Sequence, residues 1–445
     1  MYATVKSVMK INLKNRSQLL VFIIGIYTML FEWRSIFERP YFIFTANLLK
    51  FFIPVLFLLL ILATKKYFKY SALKSYILFF ILFMVWALIS SLFSSKLNEC
   101  VIHWAKYIPL FLFCFFICLY MQKNGYIKGM LMKFFIWIAV LTVIQYGVLT
   151  IVSFYGPVER FSNPKFLVNT YRGPFGLLGQ GQGSVYFSPI NLSLFQLYGF
   201  WMEPSKAAGF LLTSAFFAEI IFLQTKQRVW KLAKFVCFIG CVVTFSNTAY
   251  LCISMVGLLG GLFYLKTNKN RRFFNLIIVL FFIVLAFFAV FGRYFVAKYH
   301  SDNSDLRYIV GVRESIKNPY GGRIELFKSN LADVGARPLL GVGCQIPGKN
   351  KQGDGYTVSS HALGYWLTFT GVIGLMFLML REFQIIKIVA KNVFLSVYIL
   401  RVSQAWLAFF VANFLYGSLM DPFYFITVAI VFSSIYNFKK RGNIE

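Results

Sequence analysis

The sequence predicts an all-α polytopic membrane protein of about 12 transmembrane helices with two long outer loops. Three observations predict it. The 445 residues are 59% hydrophobic, 20% aromatic and only 13% charged, where a soluble domain is about 45–50% apolar and about 25% charged. Apolar stretches long enough to cross a bilayer recur along the whole chain. The charges are also sorted by side. Segments 1–16, 64–75, 122–133, 224–234, 266–272, 381–401 and 439–445 hold 26 basic and 2 acidic residues, against 17 and 12 on the other side. That asymmetry is the positive-inside rule. It makes those segments cytoplasmic and accounts for a net charge of +30 without nucleic acid. Soluble multidomain folds, disorder and secreted disulfide scaffolds are excluded, and 1–445 reads as a single integral membrane domain.

Taken in order, the spans fall at 17–31, 41–63, 76–94, 101–121 and 134–154. A first long loop covers 155–205. Spans at 206–223, 235–246, 249–265 and 273–291 follow, then a second long loop over 292–360. The chain ends with 361–380, 402–417 and 422–438. Both termini are then cytoplasmic and both long loops lie outside. The run 235–265 must cross twice. Basic clusters flank it on both sides (Lys226 to Lys234, and Lys266 to Arg272), and both belong in the cytoplasm. Ser246-Asn247-Thr248-Ala249 is the expected turn. Only Lys50, Lys106 and Glu219 are expected as charges within spans. No internal repeat is visible, and no basic segment leads to a cleavage site of the A-x-A kind. Five of the seven cysteines lie in apolar spans, where Cys acts as a small hydrophobe. Cys100 and Cys344 lie on or near the outer side and are a possible pair.

Polar chemistry is concentrated in the two outer loops. The first carries Tyr171-Arg172-Gly173-Pro174, a glycine run, and Trp201-Met202-Glu203-Pro204-Ser205. The glycine run lacks the Gly-Lys-Ser/Thr of a phosphate-binding loop, so a flexible surface loop is its plainer reading. Pro204 suits the first position of a helix, and capping alone accounts for Glu203. The second loop holds Gly322-Arg323, then Arg337-Pro338-Leu339-Leu340-Gly341-Val342-Gly343. Ten basic residues here run against the inside bias, which fits either an anionic ligand or a loop neutralised by its six acidic residues. His361 stands where that loop enters a span, with Gly371 and Gly374 further in. A helix-end histidine facing lipid headgroups is the plainer reading of it. His103 and His300 have no such company in the sequence.

On these residues the chain resembles the O-antigen polymerase and O-antigen ligase superfamily, with its related exopolysaccharide polymerases. Three pieces match in order. They are an Arg-Gly loop leading to Glu-Pro-Ser (Arg172 to Ser205), a Gly-Arg followed by Pro-Leu-x-Gly-x-Gly (Arg323, then Pro338 to Gly343), and His361 heading a helix with Gly371 and Gly374. Ala362 departs from the Asn often found after the histidine. Ser246-Asn247 departs from a common Ser-Arg, which leaves any hairpin arginine role unfilled. The resemblance implies a membrane glycosyltransferase of the C type in the bacterial inner membrane, working at the periplasmic face. Its donor is a glycan on undecaprenyl pyrophosphate, with no nucleotide sugar; no Asp-x-Asp or His/Asp cluster is visible in the sequence, so no metal and no cofactor is expected. Arg172 and Arg323 are expected on the pyrophosphate, since arginine is always charged and bidentate. His361 is expected to position or deprotonate the acceptor hydroxyl, with Glu203 as alternative base or orienter. Tyr171 and Trp201 are expected against sugar rings. The expected partners are the lipid-linked oligosaccharide, membrane lipids and a chain-length regulator protein, with no nucleic acid. Glu-Pro-Ser and the Phe and Lys abundance resemble polymerases more than ligases. A ligase acting on lipid A-core is the alternative within the superfamily, and a flippase or transporter is the alternative of another class.

Overall fold

The computed structural model describes residues 18–28, 52–53, 55, 71–123, 125–155, 160–163, 168–171, 184–187, 192–195, 197, 204–244, 246–299, 331, 334–335, 337–344, 362–417 and 419–442. Helix α1 is Gln18–Thr28. Helices α2 (Ser71–Leu92), α3 (Leu97–Ala105), α4 (Ile108–Lys123) and α5 (Gly125–Tyr155) follow. Then come α6 (Pro204–Thr225), α7 (Arg228–Val243), α8 (Asn247–Thr267) and α9 (Arg272–Tyr299). The last three are α10 (Ala362–Asn392), α11 (Val397–Tyr416) and α12 (Pro422–Gly442). Among the described residues, 8 helices are long and apolar enough to cross a membrane. The chain is therefore an all-α polytopic membrane protein in its bundle. The first long loop adds something an all-helical reading leaves out, namely two small antiparallel hairpins. Strand β1 (Arg160–Asn163) pairs with β2 (Val168–Tyr171), and β3 (Ser184–Phe187) with β4 (Leu192–Phe195). Their Val, Tyr and Phe are residues that suit strands.

The apolar run 235–265 is two helices, α7 and α8, as the flanking charges require. Ser246 caps α8 by accepting the Thr248 amide at 3.3 Å. Helices α6 and α11 run antiparallel in close contact. A Cβ at Gly209 would collide with the Ala412 side chain, so glycine permits the approach. Thr213 Oγ1 donates to the Ala405 carbonyl at 2.9 Å across the same seam. Helix α12 is buried among the others. Phe423 lies 4.7 Å ring to ring from Phe135 of α5 and from Phe409 of α11, and 5.0 Å from Phe210 of α6.

Two boundaries differ from the charge-based reading. The segment 381–401 is largely helical rather than a loop. Helix α10 continues to Asn392 with Arg381 and Glu382 buried inside it, and α11 already begins at Val397. The reason is that Arg381 is neutralised by its neighbour, so it does not mark a membrane edge. Lys106, expected within a span, is exposed in the turn between α3 and α4. At the opposite end of the bundle, Glu219 of α6 meets Lys234 of α7 at 2.5 Å and Arg401 of α11 at 2.9 Å. There too, Lys128 of α5 donates to Tyr398 Oη at 2.9 Å and Ser434 Oγ at 3.1 Å. Lys50 lies outside the described residues, and Lys128, Arg381 and Glu382 join Glu219 as interior charges among those described.

Candidate functional site

Residues Arg337 to Cys344, which carry the Pro-Leu-x-Gly-x-Gly pattern, are seated in a break of α10. The break is at Gly371, whose backbone is not helical (φ 63°, ψ −169°). An interrupted helix inside a membrane leaves polar backbone groups that need partners. The segment supplies them. The amides of Val342 and Gly343 donate to the Thr368 and Phe369 carbonyls at 2.9 and 3.0 Å, and the Val372 amide donates to the Pro338 carbonyl at 2.9 Å. Helix α2 supplies the remainder. Trp86 Nε1 donates to the Thr370 carbonyl at 3.0 Å. Ser90 Oγ sits against the Leu340 and Phe369 carbonyls. Ser94 Oγ donates to the Val342 carbonyl at 2.8 Å, and Ser91 Oγ accepts the Cys344 amide at 3.2 Å. Gly341 (φ 70°) and Gly343 (φ 88°) adopt the left-handed backbone this close approach demands.

The two pieces of α10 pass α2 in opposite senses. Contacts climb from Phe83, beside Trp366, to Ser90, beside the Phe369 carbonyl. They then return to Phe80 and Tyr76, beside Arg381. The piece 372–392 is about 31 Å long at 1.5 Å per residue, and Arg381 falls near its middle. The piece 362–370 packs on α3 and the turn that follows it. Tyr365 Oη is 2.5 Å from Tyr107 Oη, and the His103 ring meets Phe369 at 6.3 Å and lies beside the Cys344 backbone.

A second polar group lies at the same end of the bundle, where α6, α8 and α12 all begin. Ser205 Oγ and Ser246 Oγ are 3.0 Å apart, and Lys206 Nζ is 3.8 Å from Asp421 Oδ2. Asp421 Oδ1 caps α12 by accepting the Phe423 amide at 2.8 Å. The turn before it, with Leu419 at φ 57°, is held from below by Arg381. The Arg381 guanidinium donates through Nη2 to the Leu419 carbonyl at 3.0 Å and through Nε to Glu382 Oε1 at 2.7 Å, and it lies 4.6 Å over the Phe80 ring. Glu382 also accepts from Tyr424 Oη. Leu419, Met420 and Asp421 thus join α10 to the start of α6. Helix N-termini carry partial positive charge; here Ser246 and Asp421 cap two of the three, and Asp421 also faces Lys206.

Arg172, Trp201, Glu203, Arg323 and His361 lie outside the described residues, as does most of both long loops. Tyr171 ends β2, paired with Arg160. What is described is the scaffold beside them: Pro204 opens α6 directly after Glu203, and buried Ala362 opens α10 directly after His361. The second and third pieces of the matched pattern interlock, since Pro338 to Gly343 fill the break at Gly371. Lys206, the first residue after Glu-Pro-Ser, is tied to Asp421. Sequence reasoning passed over His103, which lies against this interlock. It also passed over Ser90, Ser91 and Ser94, although serines clustered at the end of an apolar helix are a signal visible in the sequence. Among the described residues no group of three or more His, Cys, Asp or Glu could hold a metal ion. Comparison with known protein families, curated proteins and solved structures gives no match.

Proposed function

We propose that this chain is a surface-polysaccharide polymerase of the O-antigen type in the bacterial inner membrane. In this reading it moves a glycan from undecaprenyl pyrophosphate to the terminal sugar hydroxyl of another lipid-linked repeat unit at the periplasmic face. The observation that carries the reading is the interlock. Two pieces of the resemblance that are distant in sequence, Pro338 to Gly343 and the glycine-broken helix after His361, share one set of backbone hydrogen bonds. The helix that starts at Pro204, directly after Glu203, adds support, since a helix N-terminus carries partial positive charge. A new bond forms between the acceptor oxygen and the anomeric carbon while the carbon–pyrophosphate oxygen bond breaks. His361 or Glu203 takes the acceptor proton, and Arg172 and Arg323 meet the charge growing on the pyrophosphate. Tyr171 and Trp201 are assigned to the sugars.

The test is the surface glycan of a deletion strain complemented with variants. The deletion should leave single repeat units on lipid A-core. Arg172→Ala and Arg323→Ala should each lower polymerisation by about 10²-fold or more, the usual loss of one charge-stabilising donor, at normal protein levels. His361→Ala should stop elongation while the donor lipid still binds. Wild-type chain lengths in both arginine variants would remove the clamp. Long chains left on the lipid carrier in the deletion strain would make the chain a ligase. The buried Arg381–Glu382 pair favours a transporter as the second reading, because ionised groups at membrane depth often mark a transport path. Repeat units retained on the cytoplasmic side of the deletion strain would establish that reading.

A further inference from the structure

The seating of the Arg337–Cys344 segment brings together two cysteines 244 positions apart in the chain. Both are fully buried and unbridged in this structure. A Cβ built on Gly343 would lie 3.1 Å from Cys100 Sγ, and Cys344 is the next residue. Three neighbours fix the arrangement. Ser94 Oγ is 3.1 Å from Cys100 Sγ and also holds the Val342 carbonyl. Ser91 Oγ holds the Cys344 amide. His103, three residues after Cys100 and so on the same side of α3, lies beside the Cys344 backbone. The face of α3 bearing Cys100 is therefore turned toward residues 343–344. The site lies at the end of the bundle opposite the basic clusters, which the positive-inside rule places outside the cytoplasm, where disulfides form and persist.

We propose that Cys100 and Cys344 form a disulfide bond that fastens the glycine-rich segment to α3. Bridging costs the weak Cys100–Ser94 contact. The two thiols give up two protons, and their two electrons reduce the disulfide of a protein dithiol oxidant in the outer compartment, through a mixed disulfide. Burial pushes the Cys344 thiol up to about 12, and a buried thiol exchanges poorly. The exchange therefore precedes the seating of the segment, and the bond is a product of assembly. This inference rests on geometry and sidedness and stands independently of the polymerase reading.

The experiment uses the full chain purified from membranes without reductant. Free thiols are alkylated in denaturant, then the protein is reduced and alkylated with a second reagent of different mass. Cys100 and Cys344 should carry the second label and the remaining cysteines the first. An unreduced digest should contain the peptide that joins them. In Cys344→Ser, Cys100 should move to the first label. First label on both cysteines of the wild-type chain overturns the proposal, and so does a linked peptide joining Cys100 to any other cysteine.

Discussion

Gly341→Ala is expected to leave little folded protein in the membrane. Gly341 has φ 70°, and a Cβ there would lie 2.5 Å from the Gly371 nitrogen, 2.6 Å from the Thr368 carbonyl oxygen and 2.7 Å from the Phe369 carbonyl carbon. All three are backbone atoms of the interrupted helix, so no flexible side chain can yield. The left-handed backbone costs an alanine about 1–2 kcal/mol, and forcing atoms into a packed site costs about 1–3 kcal/mol more. Against a typical total stability of about 5–15 kcal/mol, that is a large share. Gly371→Ala should behave alike, since its Cβ would collide with the Leu339 carbonyl. Gly129→Ala in α5 is the control, because nothing lies within 4 Å of the added carbon. Thermal stability in detergent and the amount of membrane-inserted protein read the difference. If Gly341→Ala melts like the Gly129→Ala control, the segment is not seated in the helix break.

Arg381→Met should destabilise by about 3–5 kcal/mol, the usual cost of removing one partner of a buried ion pair. The substitution is close in volume, so packing is largely kept. What remains is Glu382, 2% exposed, with Tyr424 as its one neutral hydrogen-bond donor among the described contacts. The Leu419 carbonyl loses its donor at the same time. Arg381→Met with Glu382→Gln should recover most of the loss, because the amide still accepts from Tyr424 and carries no charge. The double variant should therefore be more stable than Arg381→Met alone. Strictly additive losses would show that the two residues are not coupled. In the proposed reading, polymerisation by the double variant then reports whether the Leu419–Asp421 turn needs Arg381 specifically.

The sequence alone determined the membrane class, the helical bundle and the reversal near Ser246. These follow from apolar length and from charge sidedness, both of which are local properties of the chain. The same logic ended the helix too early, at residue 380, because an arginine paired with its own neighbour no longer marks a membrane edge. Arg381 can be buried only where Phe80, Glu382 and the Leu419 carbonyl converge from three elements. The resemblance pointed to Pro338 to Gly343 and to His361, but the role of those glycines was not legible in spacing. It depends on backbone groups freed at Gly371 finding partners some 30 residues earlier, and on Trp86 and Ser90 from another helix altogether. His103 looked isolated for the same reason: its contacts, Phe369 and the Cys344 backbone, arrive only when the bundle closes. Hydrogen bonding and close packing between distant segments are satisfied by three-dimensional proximity, so the tertiary structure alone decided which polar residues share a site.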